Sequence, residues 1–340
     1  MDKYIYKIRG LKHYYNSFPA LEIDELSLHQ GSIVGLIGPN GSGKSTLLNL
    51  LGFIDNPTFG KILFKNKPAA PFSESVRFQV TILPQTPYLM KRSVYKNIEY
   101  GLKLRGDKND RRKMIYDALS MVGMSGDEFV SRRWFELSGG EAQRVALAAR
   151  LVLKPEVLLL DEPIASVDAA SAQLIKDASI RACREWGTTL IITSHDWQWM
   201  YEVCDRMLQL FRGRFFGSGS ETILFGPWHE NADGLWKKVT GNGEDIIVSK
   251  PPKKDSVAVI STKDISVQLP DDQVISENLC LKGMISRLVL EKNTGCVIST
   301  IIAGSQPFNV KFTQKQVRKL NLYPGSDVNI GYNPDSIKWL

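Results

Sequence analysis

The stretch Ser32–Gly52, SIVGLIGPNGSGKSTLLNLLG, joins an apolar run, a glycine-rich turn and a helix-like segment. Its centre, Gly38–Ser45, has the spacing G-x-x-x-x-G-K-[ST] between a strand pattern and a helix pattern, which is the context that this motif requires. Glycines let the backbone turn so that successive N–H groups point inward at a helix start, where they bind anions. We therefore predict a phosphate-binding loop in which Lys44 reaches the β- and γ-phosphates and Ser45 binds Mg²⁺.

A second apolar run, VLLLDE at Val157–Glu162, ends in two carboxylates. The carboxyl edge of a parallel sheet is the place where an acid meets the metal of a bound nucleotide. Asp161 is predicted to hold Mg²⁺, and Glu162, one residue further on, to act as the general base for the attacking water. Two acids after a strand are otherwise common at helix starts; the phosphate loop upstream favours the catalytic interpretation.

The pattern of the whole chain predicts two domains. Up to about Gly241, runs rich in Val, Ile and Leu alternate with longer helix-like segments, which predicts an α/β domain with a parallel sheet covered by helices. Residues 242–256 are rich in Gly, Pro, Lys and Asp and are predicted to be a linker. Residues 257–340 show strand-like alternation and turn signals and are predicted to form a small β-rich domain.

Composition excludes several classes of protein. At 340 residues and 43% hydrophobic content the chain is long and apolar enough for globular cores. Its four cysteines have no C-x-x-C spacing, which argues against zinc and disulfide frameworks. No run approaches the roughly 20 apolar residues that span a bilayer. The net charge of +7 is spread among acids, so we expect a solvated surface and no nucleic-acid partner.

The chain resembles the ATP-binding subunits of ABC transporters over roughly residues 4–220. Lys44 and Ser138 are 94 residues apart and Asp161 and His195 are 34 apart, which is the family's spacing. The matching features, in the family's order, are the phosphate loop, Gln85 in VTILPQTPYL, LSGGE at 137–141, LLLDEP, SVD at 166–168 and His195 in IITSHD.

The resemblance implies an ATPase that uses ATP and Mg²⁺. In the family an aromatic residue stacks on adenine, about where Tyr15 or the adjacent Tyr14 stands. The implied nucleotide-binding residues are Tyr15, Gly38, Pro39, Asn40, Gly41, Ser42, Gly43, Lys44, Ser45, Thr46, Ser138, Gly139, Gly140 and Asp168. The implied catalytic residues are Glu162, His195, Gln85 and Lys44, and the implied Mg²⁺ ligands are Ser45, Gln85 and Asp161.

The LSGGE segment resembles the ABC signature, which implies a helical subdomain and a second copy of the chain. In the family Ser138, Gly139 and Gly140 contact the γ-phosphate that the partner chain binds, and Asp168 lies at the seam. A head-to-tail dimer with ATP between the chains is therefore implied. A serine-capped helix alone would explain Ser138, but it would leave the two glycines reducing helix stability without compensation.

The C-terminal part, with its LKG and LYPGSDV segments, resembles the TOBE domain, an OB-like β-barrel of importer ATPases. Together with the N-terminal part, it is most similar to the tungstate-importer ATPases, with molybdate importers as neighbours. This implies an importer subunit at the cytoplasmic face of the membrane. Its other partners would be a transmembrane permease, bound through Ser93–Gly106, and indirectly a solute-binding protein.

Three questions stay open at the level of the sequence. The solute could be molybdate, a sugar or another ion, and a soluble ABC-type switch unconnected with transport is a further alternative. The C-terminal domain could sense an oxyanion or serve as a dimerising or regulatory module. Sensing is disfavoured, because Ile275, Ser276 and Glu277 precede Asn278 where oxyanion-binding relatives carry an arginine in place of the glutamate.

Overall fold

The computed structural model describes residues 3–74, 76–216, 221–231, 234–239, 245–254, 256–270 and 279–339. Contacts within the chain divide it into two compact units, Met1–Phe216 and Gly217–Leu340. Within the described ranges, no helix is both long enough and apolar enough to cross a membrane.

The first unit is a mixture of strands and helices. Its strands are β1 Tyr4–Tyr15, β2 Phe18–His29, β3 Ile33–Ile37, β4 Phe59–Phe64, β5 Lys67–Pro68, β6 Val80–Leu83, β7 Val157–Asp161, β8 Thr189–Thr193, β9 Arg206–Phe211 and β10 Arg214–Phe216. Its helices are α1 Lys44–Leu51, α2 Val94–Arg105, α3 Arg111–Met121, α4 Gly126–Phe129, α5 Gly139–Leu151, α6 Ala169–Trp186 and α7 Trp197–Val203.

A six-stranded sheet with the order β10-β9-β3-β8-β7-β6 forms the centre of this unit. All neighbouring strands are parallel except β9 and β10. Every residue of β3 and β8 is buried, as expected for parallel strands that are covered on both faces. The parallel core predicted from the continuous apolar runs is confirmed, and it places the ends of β3, β7 and β8 at one edge.

A separate antiparallel sheet with the order β2-β1-β4-β5 packs into the same hydrophobic core. Tyr6 on β1 is fully buried, and its hydroxyl donates a hydrogen bond to the carbonyl of Leu51 at the end of α1 at 2.8 Å. Burial raises the pKa of the Tyr6 hydroxyl well above its usual value, so this donor stays protonated. This antiparallel sheet supports the helix after the phosphate loop, and it was not predicted from the sequence.

The segment between β6 and β7 is helical, and α2, α3 and α5 contact one another. Each of these helices has a capping side chain that accepts a backbone N–H, namely Ser93, Asp110 and Ser138. The predicted helical signature subdomain is therefore confirmed. Within α2, Ile98 and Leu102 are fully buried, whereas Tyr100 is 42% exposed.

The second unit consists mainly of antiparallel strands. They are β11 Thr222–Leu224, β12 His229–Glu230, β13 Trp236–Val239, β14 Asp245–Val248, β15 Ala258–Ile260, β16 Ile265–Gln268, β17 Leu279–Leu290, β18 Val297–Ala303, β19 Gln306–Phe312, β20 Asp327–Tyr332 and β21 Lys338–Trp339, with one helix, α8 Gln314–Lys319. A curled five-stranded sheet, β16-β20-β17-β18-β19, is its largest part; it forms a half-barrel, which is consistent with the predicted OB-like β-barrel domain.

The division between the units differs from the predicted boundary at Gly241. Leu224 and Trp228 are fully buried in the same core as Ile246 and Ala258, so strands before and within the predicted linker belong to the second unit. The indole Nε1 of Trp228 donates to the carbonyl of Ser256 at 2.6 Å. Strands of two to four residues have no readable alternation, which is why the sequence did not indicate them. The segment on which oxyanion sensing was judged lies outside the described residues; it comprises Ile275, Ser276, Glu277 and Asn278.

Trp228→Ala tests the membership of residues 222–248 in the second unit. Loss of this fully buried side chain is expected to lower the free energy of unfolding of the second unit by about 3–5 kcal/mol. Calorimetry would show the transition of the second unit at a lower temperature and nucleotide binding unchanged. Phe225→Ala, at a side chain that is 45% exposed, is the control with little expected effect. If Trp228→Ala changed nucleotide binding and left the transition of the second unit unchanged, the division into these two units would be contradicted.

Candidate functional site

The phosphate loop connects β3 to α1 in a conformation that excludes side chains at two positions. Gly38 has φ 149° and Gly43 has φ 104°, both in the region that favours glycine. A Cβ at Gly38 would lie 2.1 Å from the carbonyl oxygen of Leu210, and a Cβ at Gly43 would lie 2.9 Å from that of Ala20. The loop therefore adopts the tight turn that the motif predicts because it packs directly against two other backbone segments.

The side chain of Lys44 folds over this loop. Its Nζ donates hydrogen bonds to the carbonyl oxygens of Gly38 at 2.8 Å and Pro39 at 3.1 Å. Burial lowers the pKa of Lys44, and the carboxylates of Glu162 and Asp161 raise it in part. Phosphate oxygens are stronger acceptors for an ammonium group than these carbonyls. The amine is thus held, with two carboxylates near it, beside the backbone amides of the loop.

Thr193 at the end of β8 organises the two predicted carboxylates. Its hydroxyl donates to Asp161 Oδ1 at 2.7 Å, and the backbone N–H of Glu162 donates to Thr193 Oγ1 at 2.9 Å. Glu162 has φ 46°, a left-handed conformation that costs a non-glycine residue about 1–3 kcal/mol. Asp161 and Glu162 therefore differ in backbone conformation and in their hydrogen bonds to Thr193. Thr193 itself was not predicted, because a buried threonine in an apolar strand carries no separate signal.

Glu162 and His195 are in contact at the edge of the parallel sheet. Glu162 Oε2 accepts a hydrogen bond from the backbone N–H of His195 at 3.2 Å, and Glu162 Oε1 lies 3.2 Å from His195 Nε2. Glu162 is only 8% exposed, whereas the side chain of His195 is 62% exposed. Within the described ranges Glu162 Oε1 is buried and accepts no hydrogen bond. One carboxylate oxygen is therefore held by the backbone of His195, and the other lies beside its imidazole.

A cavity of about 780 Å³ runs from the phosphate loop to this pair. The predicted site residues that line it are Tyr15, Asn40, Gly41, Gly43, Lys44, Ser45, Thr46, Gln85, Asp161, Glu162 and His195. Pro19, Ala20 and Arg212 also line it and were not predicted. The predicted residues Gly38, Pro39 and Ser42 lie in the loop without lining the cavity. The structure thus brings together residues from segments that are far apart in the sequence.

The two candidate aromatic residues differ in position. Tyr15 is 48% exposed and lines the cavity. Tyr14 is half-buried, packs edge-on against Phe59 with ring centroids 6.3 Å apart, and does not line the cavity. Tyr15 is therefore the residue whose ring is open to a base in the cavity.

The predicted Mg²⁺ ligands share this cavity. Ser45, Gln85 and Asp161 bring a hydroxyl, an amide and a carboxylate oxygen to its lining. Hard oxygen donors of this kind suit Mg²⁺, which keeps several waters and takes further ligands from substrate phosphates. The donor set therefore fits the ion.

The signature segment lies apart from the cavity and begins α5 with a capping box. Ser138 Oγ accepts the N–H of Glu141 at 3.3 Å, and Glu141 Oε2 accepts the N–H of Ser138 at 2.8 Å. A Cβ at Gly140 would lie 2.5 Å from Ser171 Oγ and 2.7 Å from Asp168 Oδ2. Around a Cβ at Gly139, by contrast, no described atom outside its own helix and chain neighbours lies within 4 Å.

The prediction that neither glycine has a structural reason within its own chain is therefore wrong for Gly140. Gly140 has a structural reason within the chain, because it lets α5 approach the start of α6; only Gly139 lacks one. Asp168 caps α6 by accepting the N–H of Ser171 at 2.9 Å. Hydrogen bonds from Ser171 hold the pKa of Asp168 below its usual value, so this cap is ionised at neutral pH.

Comparisons with known proteins agree with this geometry. The family model described as ABC transporter matches residues 21–165. The tungstate uptake system ATP-binding protein TupC of Peptoclostridium acidaminophilum is 38% identical over 208 residues, which are 61% of this chain and 94% of the relative. The spermidine/putrescine import ATP-binding protein PotA of Mesoplasma florum is 33% identical over 237 residues, 69% of this chain and 66% of the relative.

A solved structure has the same fold as the first part of the chain. It is the dimeric post-hydrolysis state of the ATP-binding cassette MJ0796 bound to ADP and Pi, with 26% identity and a TM-score of 0.57. It covers 62% of this chain and 97% of its own. With a relative at 38% identity covered almost completely, and with the phosphate loop and carboxylate pair on one cavity, this chain belongs to the ABC transporter family as an ATP-binding subunit with ATPase function.

Proposed function

We propose that this chain hydrolyses ATP to energise the import of an oxyanion, tungstate, through a separate transmembrane subunit. The observation that carries the ATPase part is the single cavity shared by Lys44, Asp161, Glu162 and His195. Tungstate rests on the similarity to TupC. PotA, at 33% identity, is named for polyamines, so the ATP-binding fold alone does not select the solute.

Lys44 and the loop amides bind the phosphates of ATP, and Tyr15 stacks on adenine, a contact worth about 1–3 kcal/mol. Ser45, Gln85 and Asp161 hold Mg²⁺, which neutralises charge on the phosphate oxygens when bound. The positive φ of Glu162 and its backbone bonds to Thr193 fix where the carboxylate points. The Glu162 carboxylate, which lines the cavity beside His195, takes a proton from water, while His195 contacts the γ-phosphate.

The dimer follows from the position of the signature segment. Ser138 and Gly139 are exposed at a helix start, away from the cavity of their own chain. A helix start offers free N–H groups and a favourable dipole to an anion. We propose that Ser138, Gly139 and Gly140 complete the nucleotide site of a second copy, with Asp168 at the seam. Each ATP would then be bound between two chains.

The permease is the second proposed partner, and it acts with this chain at the cytoplasmic face of the membrane. A surface groove of about 610 Å³ borders the start of α2. Its charged lining residues are Lys91, Arg92, Lys96, Lys103, Arg133 and Glu99. Glu99 is paired with Lys103 at 3.0 Å, so the remaining cations favour a loop of the permease that carries acidic side chains. This supports the predicted role of Ser93–Gly106; a solute-binding protein would join indirectly.

Uptake measurements test the transport function and the solute together. Cells of the source organism with and without this gene are given labelled tungstate, molybdate and an unrelated sugar. We expect selective loss of tungstate uptake, restored by the wild-type gene and not by a gene carrying Glu162→Gln. Unchanged uptake of all three would contradict the oxyanion assignment and leave the ATPase assignment intact.

Glu162→Gln tests the proposed general base. A carboxamide keeps the hydrogen bond with His195 but cannot take a proton, so kcat is expected to fall by about 10²–10⁴-fold with ATP still bound. Phosphate release and nucleotide binding are measured on the purified chain. The control is Glu156→Gln, a half-buried partner of Lys65 outside the cavity, for which we expect normal turnover. An active Glu162→Gln protein would exclude the role given to Glu162.

The two signature glycines give a paired test of the dimer. Gly139→Ala meets no steric obstacle among the described residues, whereas Gly140→Ala pushes against Ser171 and is expected to lower the free energy of unfolding by about 1–3 kcal/mol. In the Glu162→Gln background, gel filtration with ATP should show that Gly139→Ala weakens the dimer at least about tenfold, or 1.4 kcal/mol. ATP binding by the single chain should not change. If the Gly139→Ala, Glu162→Gln protein dimerised at the same ATP concentration as the Glu162→Gln protein, the proposed contact between Gly139 and the nucleotide of the partner chain would be contradicted.

A further inference from the structure

The buried carboxamide of Gln143 connects the signature helix to both catalytic loops. Gln143 lies on α5, five residues after Ser138, and is 1% exposed. Its Nε2 donates to the carbonyl of Pro84 at 3.4 Å and to that of Pro163 at 3.2 Å. Pro84 directly precedes Gln85, and Pro163 directly follows Glu162. One side chain therefore bridges three segments of the site.

Folding stability alone does not account for a carboxamide at this place. In the part of the chain that the structure describes, Gln143 Oε1 is buried and has no hydrogen-bond partner. A buried acceptor without a partner costs about 1–3 kcal/mol. An apolar side chain of similar volume would avoid that cost. The two hydrogen bonds donated by Nε2 instead fix the positions of the carbonyl groups of Pro84 and Pro163.

Helix α5 is attached to the same region at its other end. The guanidinium Nε of Arg150 donates to the carbonyl of Ile82 at 3.0 Å, and Ile82 lies on β6, the strand that leads to Gln85. The helix is thus linked to the β6–Gln85 segment from its second turn, through Gln143, and from its last turn, through Arg150. A helix is stiff over this length, so a displacement of its start is passed to these bonds.

We propose that Gln143 is a positioning residue that couples the signature segment to the loops carrying Gln85 and Glu162. The inference rests on the proposed function, in which Ser138 and Gly139 contact the nucleotide of the partner chain. Gln85 and Glu162 act on the nucleotide of their own chain. Helix α5 then lies between two ATP sites, and Gln143 transmits occupancy of one site to the catalytic residues of the other.

The test compares Gln143→Met with Val145→Ala in the full-length chain. Methionine keeps the approximate length but donates no hydrogen bond, and Val145 is a fully buried residue of the same helix without a bridge to the loops. ATPase rates against ATP concentration give kcat and the Hill coefficient, which is at most about 2 for two coupled sites. A fluorescent ATP analogue gives the Kd of the single chain.

We expect Gln143→Met to lower kcat about tenfold and to bring the Hill coefficient to about 1, with Kd within about twofold of the wild-type value. Val145→Ala should lower the melting temperature without changing the Hill coefficient. If Gln143→Met does not fold, Gln143→Leu serves instead, because leucine also donates no hydrogen bond.

Three results would overturn the inference, and they differ in what they leave standing. If the wild-type chain is an active, cooperative ATPase and the Gln143 variants behave like Val145→Ala, then Gln143 is structural only and the proposed function stands. A wild-type chain that hydrolyses ATP without cooperativity also overturns the inference alone. A wild-type chain without ATPase activity overturns the proposed function and this inference together.

Discussion

The close approach of three backbone segments at the phosphate loop is the constraint on which the first unit depends. Leu210 leaves no room for a side chain at Gly38, the N–H of Gly213 donates to the Ser42 carbonyl at 2.9 Å, and the N–H of Glu22 donates to the Gly213 carbonyl at 2.8 Å. The loop is thus held by the β9–β10 turn and the start of β2. Its amides are oriented by the fold, so little ordering is required when phosphate binds.

The second constraint is the contact between the carboxyl ends of the neighbouring parallel strands β7 and β8. One hydroxyl, that of Thr193, holds the Asp161 carboxylate and the Glu162 backbone at once. These bonds offset the strained φ of Glu162 and keep its carboxylate at the cavity rather than in solvent. The two adjacent acids therefore have different surroundings, which suits the separate roles that we propose for them. Further along the chain, Asp168 lies next to Gly140, and both belong to the dimer surface that we propose.

Much of this site could be predicted from the sequence because its motifs are contiguous and have fixed spacing. The phosphate loop stands between a readable strand and a readable helix, Glu162 directly follows an apolar strand, and His195 comes two residues after another. Thr193 and Gln143 could not be predicted, because their roles depend on bonds to distant carbonyls and carboxylates that no local pattern encodes. The start of the second unit was placed too late, because β11 to β14 are too short to show a period.

We propose that each ATP site is completed by a second chain, since no signature residue lines the cavity formed by the described part of one chain. The most direct measurement is the specific ATPase activity of the purified protein as a function of its own concentration at saturating ATP. Activity per chain should rise with protein concentration and level off when dimers dominate, because single chains lack the groups supplied in trans. Activity per chain that is independent of concentration, in protein shown to be monomeric with ATP, would contradict the claim.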